Sequence, residues 1–134
     1  MLFALDLDSS TPLYQQIRDQ VVDGLATGQL WEGEPLPTIR QFASDFGINL
    51  HTVRKAYEIL EREGFVRVQR QRGVVVSRTG RRDAGAPGWE ARLRTLLAEE
   101  YAHGQTRDEI LERCRRVLSA FNGTGTERER TTEV

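Results

Sequence analysis

Five residues between positions 51 and 62 carry the densest chemistry in the chain: His51, Arg54, Lys55, Glu58 and Arg62. Their spacing of three, one, three and four puts them on one stripe if the segment is helical. Four of the five are cationic or proton-donating, which suits a polyanion such as a nucleic-acid backbone. Asn49 and Thr52 add amide and hydroxyl groups at the N-terminal turn of the same segment. That turn is the part of a recognition helix that reaches base edges. A second cluster follows in Gln69-Arg-Gln-Arg-Gly73, where Arg70 and Arg72 would meet backbone phosphates or a minor groove. A solvated charged face is the commonest origin of such a stripe. Here the polar first turn and the arginine cluster behind it favour the DNA reading.

Catalytic chemistry has little support. No Ser/His/acid set, phosphate-binding loop or glycine-rich fingerprint is present, so the chain does not read as an enzyme. His51 and His103 lie far apart; His103, near Glu99 and Asp108, reads as a helix-end residue rather than a metal ligand. Cys114 falls within an apolar stripe and reads as a buried small hydrophobe. No cofactor or metal site is expected.

The elements that would position the stripe follow from periodicity. Thr11 is placed to cap a first helix with Pro12 at its first position, and Leu13, Ile17, Val21 and Leu25 form its apolar stripe. Gly28 ends it, and Gly33 with Pro35-Leu36-Pro37 reads as a rigid connector. Thr38 and Gln41 form a capping box for a short second helix whose inner face is Ile39, Phe42, Ala43 and Phe46. Gly47 closes that helix, Ile48 plugs the corner, and Asn49 caps a third helix running to about Glu63. Val53, Ala56, Tyr57 and Leu60 face inward, opposite the charged stripe, and Gly64 stops the helix. Ala43, Gly47 and Val53 are a small residue, a turn glycine and a branched apolar residue, the set two crossing helices need. Phe65–Val68 and Val74–Ser77 read as strands of a hairpin with an arginine-rich tip.

Farther on, residues 79–88 read as a linker containing Gly80, Gly85, Pro87 and Gly88. Trp89, Leu93, Leu96 and Leu97 stripe a fourth helix, and Thr106 with Glu109 caps a fifth bearing Ile110, Leu111, Cys114, Val117, Leu118 and Phe121. Trp89 and Tyr101 read as core. From Asn122 the Thr/Glu/Arg/Gly composition predicts a frayed tail.

Composition agrees. The chain has 134 residues, 38% hydrophobic and 29% charged, with one cysteine, Cys114. It lacks an apolar run near the ~20 residues a membrane span needs, and a basic signal-peptide start. A cytoplasmic location is expected. The net charge of −1 conceals an asymmetry. Residues 1–37 carry six acids against Arg18 alone, whereas residues 50–80 carry seven bases against Glu58, Glu61 and Glu63. A local basic patch matters more for DNA than the total does.

As an ordered set, Pro12-Leu-Tyr-Gln-Gln-Ile17, Gly28-Gln-Leu30, Leu36-Pro-Thr-Ile-Arg-Gln-Phe-Ala43, Gly47-Ile48, Thr52-Val-Arg-Lys-Ala-Tyr-Glu-Ile-Leu60, Glu63-Gly64 and Arg72-Gly73 resembles the GntR family of bacterial regulators over residues 10–78. The resemblance implies a winged helix with DNA contacts at Arg40, Asn49 to Thr52, Arg54, and the wing near Arg72 and Gly73. Thr38, Lys55 and Arg70 join that expected contact set. Leu50 stands where members often carry arginine, which points to a thymine-methyl contact instead of a guanine contact. Gln71 and Val74 replace a common wing glycine and threonine.

The short tail looks like that of the YtrA-like subfamily, where it serves dimerisation. A lone hairpin cannot bury a face running from Ile110 to Phe121, and docking a second copy is the usual symmetric solution. Packing back onto Leu13, Ile17 and Val21 is the alternative, and both can occur. The expected protein is thus mainly α with a small β-wing: a winged helix-turn-helix over 10–78 (helix-turn-helix about 38–58, wing about 65–78), a linker over 79–88, a dimerisation hairpin over 89–121 and a tail over 122–134. The expected function is a transcription regulator, a repressor by resemblance, binding a pseudo-palindromic operator as a homodimer without membrane association. A winged-helix module for protein–protein contact is the rival.

Overall fold

A computed structural model describes residues 3–70, 73–77 and 88–121. The elements are α1 (Leu13–Thr27), α2 (Ile39–Phe46), α3 (Leu50–Glu63), β1 (Val66–Gln69), β2 (Gly73–Val76), α4 (Trp89–Ala102) and α5 (Arg107–Ser119). They divide into two units, residues 1–81 and 82–134. The molecule is mainly helical, with a two-stranded antiparallel wing in the first unit and a helical hairpin in the second. The linker residues 79–87, the tail from Asn122 and the wing residues Gln71 and Arg72 lie outside the described residues.

Helix boundaries in the first unit follow local chemistry. Gly28, Gly47 and Gly64 end α1, α2 and α3 in the left-handed conformation, at φ of 81°, 63° and 85°. Thr38 caps α2 by accepting from the Gln41 amide at 3.0 Å. The reciprocal half of the expected capping box is absent: Gln41 instead donates through Nε2 to Asp45 at 2.7 Å, one turn ahead. Thr11 does not cap α1 either. Pro12 occupies the N-cap position without a side-chain hydrogen bond, and the Thr11 carbonyl accepts from Gln16 Nε2 at 2.8 Å.

β1 and β2 pair antiparallel, with Val66 opposite Val76 and Gln69 opposite Gly73. The segment expected as a proline connector is more than a spacer. Gly33 N donates to Val76 O (2.8 Å), Val76 N to Glu34 O (2.8 Å) and Leu36 N to Val74 O (2.9 Å), and Pro35 bridges Val75. Residues 33–36 thus line the free side of β2. Proline, which lacks an N–H, is tolerated at such an edge.

The core joins Ile17, Val21 and Leu25 of α1, Phe42 and Ala43 of α2, Val53, Ala56, Tyr57 and Leu60 of α3, and Val66 and Val76 of the wing. A strap that the sequence did not announce closes one side. Phe3 sets its ring edge-on to Phe42, centroids 4.8 Å apart, and Phe42 stacks on Phe46 at 4.7 Å. Two glutamines of α1 then bind the strap backbone as another strand would. Gln20 takes the N–H of Ala4 at 2.9 Å and donates to its carbonyl at 2.6 Å; Gln16 takes the N–H of Asp6 at 2.8 Å and donates to its carbonyl at 2.9 Å.

In the second unit Thr106 caps α5, accepting from the Glu109 amide at 3.2 Å while its hydroxyl donates to the Glu109 carboxylate at 3.1 Å. Arg113 of α5 pairs with Glu100 of α4 at 2.6 Å. Neither helix has a buried residue. Leu93, Leu97, Tyr101, Ile110, Leu111 and Cys114 line an open groove of about 740 Å³. Trp89 and Tyr101, expected in a core, are 56% and 64% exposed, and Cys114 is only half-buried. The physical reason is that two helices enclose no interior. Among the described residues no helix is long and apolar enough to cross a membrane.

Candidate nucleic-acid interface

The tight turn after α2 sets the geometry. The Gly47 amide donates to Ser44 O and the Ile48 amide to Ala43 O, closing α2 as Asn49 opens the next helix. Asn49 Oδ1 accepts from the His51 amide at 2.8 Å. Ala43 of α2 and Val53 of α3, 8% and 0% exposed, belong to the same buried core. Tyr57 fixes α3 from behind, its hydroxyl donating to the Pro37 carbonyl at 2.7 Å. Burial pushes the Tyr57 hydroxyl's pKa well above its ordinary value.

With Val53, Ala56, Tyr57 and Leu60 inside, the opposite face of α3 presents His51, Arg54, Lys55, Glu58 and Arg62, which share one shallow concavity with Ile59. All five stripe residues are exposed. Thr38 and Arg40 are exposed at the start of α2, as are Asn49 at the start of α3, Arg70 beyond β1, and Gly73 at φ +73°. Thr52 is half-buried. Leu50 is half-buried and packs on the core. The Arg72 position lies outside the described residues.

Partners separate the arginines into two kinds. Among the described residues Arg40, Arg54 and Arg62 form no ion pair with a side chain. Arg18, the lone base of residues 1–37, is engaged. Its Nε and Nη2 donate to the two Glu63 oxygens at 3.0 and 2.9 Å, and its Nη1 donates to Asp19 at 3.0 Å. The hydrogen bonds to Glu63 are the main reason the Arg18 pKa is raised. The guanidinium also lies 5.6 Å from the Phe65 ring centroid. Sequence reasoning missed this clamp between α1 and the end of α3; the isolation of one base among six acids was the available signal. It also missed the Lys55 ammonium, 4.0 Å from the Tyr14 ring centroid.

Comparison with known proteins agrees with this geometry. The family described as "Bacterial regulatory proteins, gntR family" matches residues 13–76. The HTH-type transcriptional repressor YtrA of Bacillus subtilis is 40% identical over 76 residues, which cover 57% of this chain and 58% of that protein. A solved structure of YtrA from Sulfolobus acidocaldarius, described as a GntR-family transcription factor, is 39% identical with a TM-score of 0.60, covering 76% of this chain and 99% of that one. A structure from Listeria monocytogenes, described as a transcriptional antiterminator, is 30% identical with a TM-score of 0.70, covering 87% and 90%. The curated relatives first matched are covered over 66%, 58% and 57% of their own lengths. The helix-turn-helix and wing, the family match over them and the extended likeness to YtrA together show that this chain belongs to the GntR family of bacterial regulatory proteins and is YtrA-like.

Proposed function

We propose that the chain is a DNA-binding transcription regulator that inserts α3 into a major groove and lays the wing on adjacent backbone. The observation that carries this reading is the α3 face, where Arg54, Lys55 and Arg62 stand exposed beyond the capped turn at Asn49. Thr38, Arg40, Asn49, Leu50, His51, Thr52, Arg70, Arg72 and Gly73 complete the proposed contact set. Residues 10–78 form the DNA-binding part and residues 89–121 a dimerisation hairpin, joined through 79–88. A homodimer of this kind reads a pseudo-palindrome whose half-sites follow its two-fold axis. Repression is the proposed outcome, in keeping with the name of the B. subtilis relative.

A gel-shift with salt titration tests this. Affinity for duplex DNA is expected to fall steeply as salt rises, because each neutralised phosphate releases counterions. Salt-independent or absent binding overturns the proposal in favour of a protein-contact module.

A further inference from the structure

We propose that Tyr14 is a positioning residue for DNA binding, its ring holding the Lys55 ammonium ready for a backbone phosphate. The inference rests on the assignment of Lys55 to the DNA face. Lys55 is the chain's one lysine, and a lysine on a long stem is the cation with most freedom to lose on binding. Here that freedom is already restricted: Nζ lies 4.0 Å from the Tyr14 centroid, over the ring face. The ring is anchored in turn, since Tyr14 is half-buried and packs against the core. One turn along α1, Arg18 grips Glu63 through both carboxylate oxygens, so α1 holds α3 at two places eight residues apart. A ring face attracts the ammonium without accepting a conventional hydrogen bond, leaving its N–H donors for phosphate oxygens. Lys55 stays exposed despite this contact.

Binding of the full chain to a mixed-sequence DNA duplex across a salt series tests the assignment, since phosphate contacts need no particular sequence. Lys55→Ala should lower affinity and reduce the salt slope by about one unit. Tyr14→Leu should lower affinity about two- to fivefold with the slope unchanged, the size expected of an exposed cation–π contact. Tyr14→Phe should bind like the parent. Tyr14→Leu added to Lys55→Ala should cost nothing further, which a general loss of structure could not reproduce. Thermal melts of each variant identify any that fails to fold; should Tyr14→Leu be one, Tyr14→Met, which also removes the ring, takes its place in both backgrounds. An unchanged or tighter Tyr14→Leu, or an equal loss in the Lys55→Ala background, overturns the assignment while leaving DNA binding in place. If the parent binds no DNA, the functional reading falls, and this inference with it.

Discussion

At the scale of single residues, the candidate interface divides into side chains that hold the fold and side chains that face outward. Arg18 and Arg54 are chemically identical, yet Arg18 is bidentate to Glu63 whereas Arg54 is exposed and unpaired among the described residues. Arg54→Ala should therefore weaken binding to a cognate operator by about 1–3 kcal/mol, the worth of one good base contact. Its thermal midpoint should stay within error of the parent. Unchanged specific affinity would remove α3 from the groove. Tyr57 belongs to the other group. Its hydroxyl keeps its proton in the folded chain after an unfolded tyrosine, with its ordinary value near 10, has lost one. The folded state then binds more protons than the unfolded state, so stability falls as pH rises past that value. Tyr57→Phe should cost about 0.5–1.5 kcal/mol at neutral pH through the lost bond to Pro37 O. Its stability should also decline less than the parent's in chemical denaturation above pH 10. A decline as steep as the parent's would place the alkaline sensitivity on another group.

At the scale of elements, what could be read in the sequence was local. Thr38, Asn49 and Thr106 were recognisable as caps because each acts on an amide two or three residues ahead. The helix ends at Gly28, Gly47 and Gly64 were legible because a left-handed residue is cheapest as glycine. The misses at Thr11 and Gln41 are competitions between neighbours: Pro12 takes the cap position, and Asp45 offers Gln41 a partner one turn away. Long-range pairings left no periodic trace. The strap binds α1 through glutamine side chains from 10 to 16 residues away, and the 33–36 edge reaches β2 across α2, α3 and β1. Phe3→Ala should lower stability by about 1–3 kcal/mol, less than a fully buried phenylalanine, and expose Phe42 and Phe46 to faster aromatic ring exchange by NMR. No loss of stability would mean that the strap is not bound in solution. For the wing, Arg72→Ala should lower affinity for many sequences together and flatten the salt slope by about one unit. A loss confined to one operator position would instead make Arg72 a base reader.

At the scale of the molecule, the buried residues are unevenly shared. Every buried residue among those described lies between Ile17 and Ser77, and none lies in α4 or α5. The stripes of the last two helices were legible, but within one chain Trp89 and Tyr101 stay exposed and Cys114 half-buried, because periodicity names a face without naming what covers it. Leu111, Val117 and Leu118 are 45%, 59% and 61% exposed. Covering one such side chain is worth about 1.5–3 kcal/mol, so a chain that leaves the whole face wet sacrifices much of a domain's net stability. Truncation after Thr79 should leave a folded winged helix, because Ile17, Phe42, Val53, Tyr57, Leu60, Val66 and Val76 all remain. That fragment should be monomeric by light scattering and bind a half-site weakly, losing the gain from two heads tethered on one operator. The full chain should scatter as a dimer and bind the two-fold site far more tightly. Leu111→Asp with Leu118→Asp in the full chain should reproduce the truncation by placing carboxylates in the proposed seam. If the truncated protein remained dimeric and bound at full strength, the interface would lie within residues 1–79 and the hairpin would serve a different contact.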